Sequence, residues 1–578
     1  MKQITFFIFL LMTGTLSLPA SKKPLYEDNK TQSYEQLISA YRHLAQEYPE
    51  ASLLEAGETD IGKPLHLFIL SGDKIFDPVK IGQSGRPVVF INNGIHPGEP
   101  AGIEASLQLA KDILTDKDHM GKYLDKVIIC IIPVYNVGGM LNRSHYHRAN
   151  QDTPPESGFR GNGKHLDLNR DFVKADSKNT RSLEKIFRET NPLVFLDTHT
   201  TDGSDHQYTI TLISTLCQNM EPAMGKYFHN TMVPALFETM KKTPYEMIPY
   251  VNLIHGSPDK GISAYNDLPR YSTGYASLFN TFAFMTENHV YKLFRDRVKS
   301  VYFFMKGLIG FTHEHASEMM TLKKNADLSV AHQEKFVLSW ELDTTVRKMI
   351  PFRGYSLSKR TGEVTGLPYR WYDHTRPFVK KIPFYENFNP VKTVEKPDYY
   401  IIPQAWEEAV ERLRINGIRM VRLERDTLIQ VTSMYITSVK YTQRPYNGHF
   451  QHRNIRYREE KQMVKFYRGD YIIPTDQPGN RYIIQVLEPD APDSYFSWNF
   501  FDPVLDRREY FSPSTFEEKA LDVLEKNPDL KKRFEEKKKS DPAFARNRYQ
   551  QLGFIYNHSP WLEKSYMRVP VFKVTKEK

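Results

Sequence analysis

Cysteine is scarce in this chain of 578 residues: Cys130 and Cys217 are the two it has. That excludes a disulfide-dense scaffold or a Cys-rich zinc module and leaves at most one pair. Long Lys/Arg blocks are also missing. With 78 Lys+Arg against 69 Asp+Glu, the net charge of +9 gives nucleic acid little to hold. Long apolar runs are missing as well, except at the start. There Met1-Lys2 precedes the apolar stretch Ile4 to Leu18, followed by Pro19-Ala20-Ser21. The stretch contains Thr13, Thr15 and Ser17 and falls short of the ~20 apolar residues of a spanning helix. Its layout is that of a secretory signal, with cleavage after Ser17 or Ala20. Residues 1–20 are therefore expected to be a signal peptide, and the mature protein secreted or periplasmic, with no stable membrane span.

What is present argues for a folded, multi-part protein. An apolar fraction of 40% and a charged fraction of 25% exclude a disordered chain. At ~100–200 residues per domain the length allows two or more domains. Helical spacing of Tyr34, Leu37, Ile38, Tyr41 and Leu44 predicts a helix that Pro49 closes. Short apolar segments at Leu65–Leu70, Val88–Asn92, Val127–Val134 and Leu193–Asp197 read as strands. Helical patterns at Gly102–Leu114 and around Thr180–Glu189 separate several of them. Strands alternating with helices predict an α/β fold whose sheet is mixed but mostly parallel, with helices on both faces. Val298–Ile309 reads as the last helix of this unit. From Glu318 to Lys335 the chain is polar and weakly patterned. Beyond it Tyr399–Ile402, Met420–Leu423 and Tyr482–Leu487 read as strands, Trp406–Leu413 as a helix and Phe516–Phe544 as charged and helical. A catalytic unit over 30–315 and a β-rich α+β unit over 336–578 are the expected division.

Several catalytic patterns fail. Gly158–Lys164 has the spacing of a phosphate loop, but His165 stands where Ser/Thr would hold magnesium, and no apolar strand feeds it. There is no Gly-x-Ser-x-Gly and no His-Glu-x-x-His. His-x-x-Glu occurs twice. His315/Glu318 falls at the ragged end of a helix and reads as a solvated terminus. His96/Glu99 follows the strand Val88–Asn92 and precedes a helix, with Glu99 expected to begin it. That is the carboxyl end of a strand, where open α/β sheets build their sites. A histidine and a carboxylate three residues apart can converge on one zinc, which then needs a third protein ligand and an open position. His199 leaves the strand Leu193–Asp197 at the equivalent end and is the candidate. Between them, Asn169 and Arg170 offer an amide and a guanidinium suited to gripping a carboxylate. Asp167 could fix the tautomer of a zinc-bound histidine.

These segments resemble the zinc carboxypeptidases of the carboxypeptidase A type. His96-Pro-Gly-Glu99 is similar to their ligand pair, Asp167-Leu-Asn-Arg170 to their Asp-x-Asn-Arg segment, and Asp197-Thr-His199 to their strand-end third ligand. Phe282-Ala-Phe-Met-Thr-Glu287 resembles the strand that carries their catalytic glutamate. The likeness covers roughly residues 30 to 315. It implies one zinc per chain, Glu287 as general base, and Arg148 as the stabiliser of the oxyanion, with Arg143 as its rival. It further implies that Asn169 and Arg170 bind a terminal carboxylate, so that the substrate is a peptide or peptide-like molecule with a free C-terminus. The family's mobile tyrosine would be Tyr265, Tyr271 or Tyr275, with spacing to Glu287 favouring Tyr265. The nearest rival is a zinc-dependent N-acyl amino acid deacylase. A non-catalytic binding protein on the same fold is the rival from another class, but it would be expected to have lost a ligand or the base.

Overall fold

The computed structural model describes residues 23–575, so the signal-peptide expectation for 1–20 lies outside the described residues. Its centre is an eight-stranded sheet. The strands are β1 (Ala51–Glu58), β2 (Pro64–Leu70), β3 (Val88–Asn92), β4 (Ile128–Ile132), β5 (Val194–Thr201), β6 (Ile210–Ser214), β7 (Met247–Pro249) and β8 (Phe282–His289), in the order β1-β2-β4-β3-β5-β8-β6-β7. The central strands β4, β3, β5 and β8 are mutually parallel, and antiparallel pairings flank them at β2/β4 and β6/β8. This is the mixed α/β sheet that the alternation of strands and helices predicts.

Its central strands are apolar on both faces, because helices cover both. In β3, Val89 and Ile91 enter a core with Leu37, Leu109 and Phe304, while Val88 and Phe90 enter another with Leu183 and Phe187. The first core belongs to α1 (Tyr34–Glu47), α2 (Ala101–Leu114) and α4 (Phe294–Glu314), the second to α3 (Lys178–Thr190). Ser33 closes the start of α1 with a capping box, accepting from the Gln36 N–H while the Gln36 side chain accepts from its own.

The second core does not stop at the catalytic half. Ile402, Leu413, Tyr482 and Ile484 from the C-terminal half share it with Phe195, Tyr275 and Phe279. A six-stranded sheet that includes Tyr399–Ile402, Thr427–Tyr441, His452–Phe466 and Arg568–Val574 makes the C-terminal half β-rich, as expected. A long hairpin, β9 (Lys348–Thr361) and β10 (Pro368–Tyr385), reaches back to the catalytic half. There β10 pairs in parallel with Ile262–Ser263, and the Ala264 N–H donates to the Tyr385 carbonyl at 2.8 Å. Helices over 513–556 enclose a small separate core around Phe516 and Phe534.

Four local expectations are corrected. The polar stretch after residue 315 is α5 (Ala316–His332). Its buried residues are Ala316, Met319, Lys323, Ala326, Val330 and Ala331, and three alanines and a lysine disguise the stripe. Lys323 is tolerated inside because its ammonium donates to the carbonyls of Phe279 and Asn280, at 2.7 and 3.2 Å. Tyr482–Leu487 is not a strand but most of a helix, Asn480–Leu487. Tyr482, Ile483, Ile484, Val486 and Leu487 are all buried, and the polar face is only Arg481 and Gln485, one turn apart, too few positions to show the helical period. Met420–Leu423 shrinks to the two-residue strand Val421–Arg422, and Glu99 precedes α2 rather than beginning it.

Candidate active site

β3 ends at Asn92 and the chain turns before α2, with the Glu99 N–H donating to the His96 carbonyl at 2.8 Å. This turn sets the His96 and Glu99 side chains on the same side, 3.2 Å apart between Nδ1 and Oε1. On β5, His199 brings its Nδ1 to 3.1 Å from Glu99 Oε2. One ligand atom from each residue falls within a cluster 4.8 Å across, and all three residues are buried. The outer nitrogens are held by carboxylates: His96 Nε2 lies 2.9 Å from Asp167 and His199 Nε2 lies 2.9 Å from Asp197. Each carboxylate accepts an Nε2–H, which leaves the lone pair on the inward Nδ1. His96 Nδ1 is buried with no hydrogen-bond partner. Two inward imidazole nitrogens and a carboxylate are the donor set of a catalytic zinc site with an open position, so the residues fit that metal.

Charge is finely balanced here. Burial opposes ionisation of Glu99, but His96, Arg148 and a hydrogen bond with His199 outweigh it and hold its carboxyl well below the usual range. Burial also opposes charge on His199, and Asp197 overrides it, raising the imidazole well above its usual value. Asp167 is half-buried, which opposes its charge, yet its carboxyl is lowered by His96 and then by Arg160 and Arg170.

Strand register supplies the next residue. β8 lies parallel to β5 with Glu287 directly opposite His199, so both side chains leave the sheet on the same face. Glu287 Oε2 has no hydrogen-bond partner. Its carboxyl is raised, first by burial and further by Glu99 and Asp197, against the pull of His199. A cavity of about 270 Å³ joins these groups to Arg148, Arg170, Tyr265 and Tyr271. Asn169 lines it as well, with its side-chain oxygen accepting from the Ser272 N–H at 3.2 Å. Arg170 lies 4.6 Å from the centre of the Tyr271 ring, a cation–π contact that steadies its guanidinium.

Of the alternatives left by the sequence, two leave the site. Arg143 binds the carbonyl of Gln32 and pairs with Glu156, away from the cavity. Tyr275 is buried in the core and donates to Asn416 at 2.7 Å, which removes it from the three candidate tyrosines. His315 and Glu318 form an exposed pair at the junction of α4 and α5, not at a free helix end. Cys130 and Cys217 are both free thiols.

Sequence reasoning missed Arg160 and Asp197. Arg160 sits inside the Gly-rich stretch whose only reading was a failed phosphate loop. Its guanidinium binds Asp167 at 2.9 Å and reaches to 3.5 Å from Glu99. Its side chain is 46% exposed against 19% for Arg148, which is already committed to Glu99 at 2.7 Å and to the Thr200 carbonyl. Asp197 was visible as part of Asp197-Thr-His199, but its bond to the histidine two residues on depends on side-chain geometry.

The zinc carboxypeptidase family model matches residues 37–238, the stretch that supplies His96, Glu99, Asp167, Arg170 and His199. Over a longer stretch the chain is similar to "Carboxypeptidase 2" of Trichophyton rubrum, 21% identical over 474 residues, spanning 79% of this chain and 82% of the relative. "Carboxypeptidase 2" of Trichophyton equinum is likewise 21% identical, over 76% of this chain and 78% of its own. Among solved structures, a metallo-carboxypeptidase from Burkholderia cenocepacia aligns with 50% of this chain and 70% of its own, at 16% identity and a TM-score of 0.37.

Proposed function

We propose that the protein is a zinc-dependent metallocarboxypeptidase that removes the C-terminal residue of peptides. The observation that carries this is the gathering of His96, Glu99, His199, Glu287 and Arg170 around one cavity at strand ends of the sheet. His96 Nδ1, Glu99 and His199 Nδ1 would hold the metal. When bound, zinc lowers the pKa of a water and polarises a carbonyl. Glu287, whose raised carboxyl and unpartnered Oε2 suit a proton acceptor, would take the proton from the attacking water and hand it to the leaving amine. Arg170, with Asn169 beside it, would hold the terminal carboxylate and so restrict cleavage to the last residue. Arg148 donates to Glu99 and would keep that ligand in place while facing the oxyanion. Arg160 is the freer guanidinium for the same developing charge.

The cavity also suggests which residue leaves. Met285 lies two residues before Glu287 on β8, so it projects to the same face, and Ile213 on β6 pairs with it directly. These two apolar side chains, with Tyr250 and Tyr265, support acceptance of an apolar C-terminal residue. The apolar run Ile4 to Leu18 supports export. Among the described residues no helix is long and apolar enough to cross a membrane.

The test is zinc content together with amino-acid release from a mixed peptide library, for the wild type and Glu287→Gln. Near one zinc per chain in both is expected, with release slowed by about 10²–10⁴-fold in the variant, the range for removing a general base. Apolar residues should dominate the products. Zinc in both but release from neither would favour the deacylase, and no zinc would sink the metal reading.

A further inference from the structure

The C-terminal half carries an element that reaches the candidate active site. The strands Thr427–Tyr441 and His452–Phe466 form a hairpin, and its connecting loop ends in the tight turn Tyr446–His449. This turn sits on the segment Leu166–Arg170. Asn447 accepts from the Asp167 N–H at 2.8 Å and donates to the Asp167 carbonyl at 3.2 Å. A side-chain amide thereby satisfies both backbone groups of one residue, as a neighbouring strand would. Asn447 is held to this task by its backbone, with φ at 48°, a left-handed conformation that asparagine tolerates well.

Neighbouring contacts fasten the same turn. His449 lies 2.7 Å from Asp176, which also takes the buried ammonium of Lys174 at 2.6 Å. Arg270, the residue before Tyr271, pairs with Asp493 at 2.8 Å and stacks 4.9 Å from Trp498. The segment it steadies has little regular structure of its own, a single three-residue turn over Leu168–Arg170. Yet that segment carries Asp167, which orients His96, and Arg170.

We infer that Asn447 is a positioning residue for the metal site: it fixes the backbone of Asp167, and through the Asp167 carboxylate it sets the tautomer and aim of His96. This rests on the zinc reading of His96, Glu99 and His199. Removing a group that orients a metal ligand costs roughly 10–100-fold in metal affinity, and Asn447 acts one bond further out, so the lower end is expected.

The experiment measures zinc affinity of the full chain by competition with a chromophoric chelator. N447G suits the purpose, because glycine keeps the left-handed turn while removing the amide. N447D retains the acceptor for the Asp167 N–H and loses the donor, so it should fall between N447G and wild type. N454G is the control, at an exposed position of the same hairpin with φ at 51°. The expected result is about a tenfold weaker zinc affinity in N447G, a smaller loss in N447D and none in N454G. If N447G does not fold, the N447D-to-wild-type comparison carries the test alone. Equal affinities of folded variants and wild type, within about twofold, overturn the inference and leave the zinc reading standing. A folded wild type that binds no zinc overturns both.

Discussion

Glu104 illustrates what one buried carboxyl costs this fold. It lies in the first turn of α2, accepting from the Thr31 hydroxyl and the Gln32 N–H, each at 2.7 Å. Burial pushes its carboxyl up to about 7. The folded value lies above the unfolded one, so the folded chain binds the proton more tightly. Its contribution to stability is therefore full below about pH 4.3 and declines as pH rises through about 7. Glu104→Gln keeps an oxygen for both donors and removes the charge. Denaturant unfolding at pH 8 should find it more stable than wild type by on the order of 3 kcal/mol, with the gap closing near pH 4. At this scale the sequence showed His96, Glu99, His199 and Glu287, because each sits at the carboxyl end of a strand that announces itself by apolar runs. Arg160, Asp197 and Asn447 were hidden for a common reason. Arg160 reaches Glu99 from a distant loop, Asn447 meets Asp167 across 280 residues, and Asp197 meets His199 through a side-chain angle, and no spacing rule encodes those.

Among elements, the joint between α2 and the sheet is the most exacting. Gly102, in the first turn of α2, lies directly against β5, and a Cβ there would overlap the hydroxyl and Cβ of Thr198, the residue before His199. Gly102→Ala should therefore push the helix from the strand and cost about 1–3 kcal/mol, read as a lower urea midpoint. Because the same shift reaches both His96 and His199, weaker zinc binding should accompany it. Strands and helices of the catalytic half were legible where an apolar stripe faced a polar one, as in α1. The elements that escaped were those without that contrast. The helix over Asn480–Leu487 shows only Arg481 and Gln485 on its polar face, and α5 hides its buried stripe behind Lys323 and alanines.

For the whole molecule, the shared core matters more than the change of texture near residue 330. Asn416 shows why: it donates to the buried Glu184 at 2.8 Å, accepts from Tyr275 and contacts Tyr482, tying both halves at one point. Burial has raised Glu184 to about 7, and without Asn416 that carboxyl would lose a partner it needs. A chain ending after His332 should then expose Phe279 and Tyr275 and fail to give a sharp unfolding transition. The full chain should melt the two halves together in a scanning calorimeter, with the small core around Phe516 and Phe534 free to melt apart. The sequence could not reveal this union, since its two sides alternate normally on their own.

The pairing of Ile262–Ser263 with β10 has a kinetic meaning. It anchors the chain through Ala264, one residue before Tyr265, to a hairpin from the other half of the protein. If Tyr265 folds over a bound peptide, that motion is then a rotation about its own side-chain bonds and not the swing of a loop. Such rotations take place in picoseconds to nanoseconds, whereas lids take microseconds to milliseconds. Under the proposed peptidase reading, closure at Tyr265 would accordingly not limit turnover, and the rate at saturating substrate should be insensitive to solvent viscosity on that account.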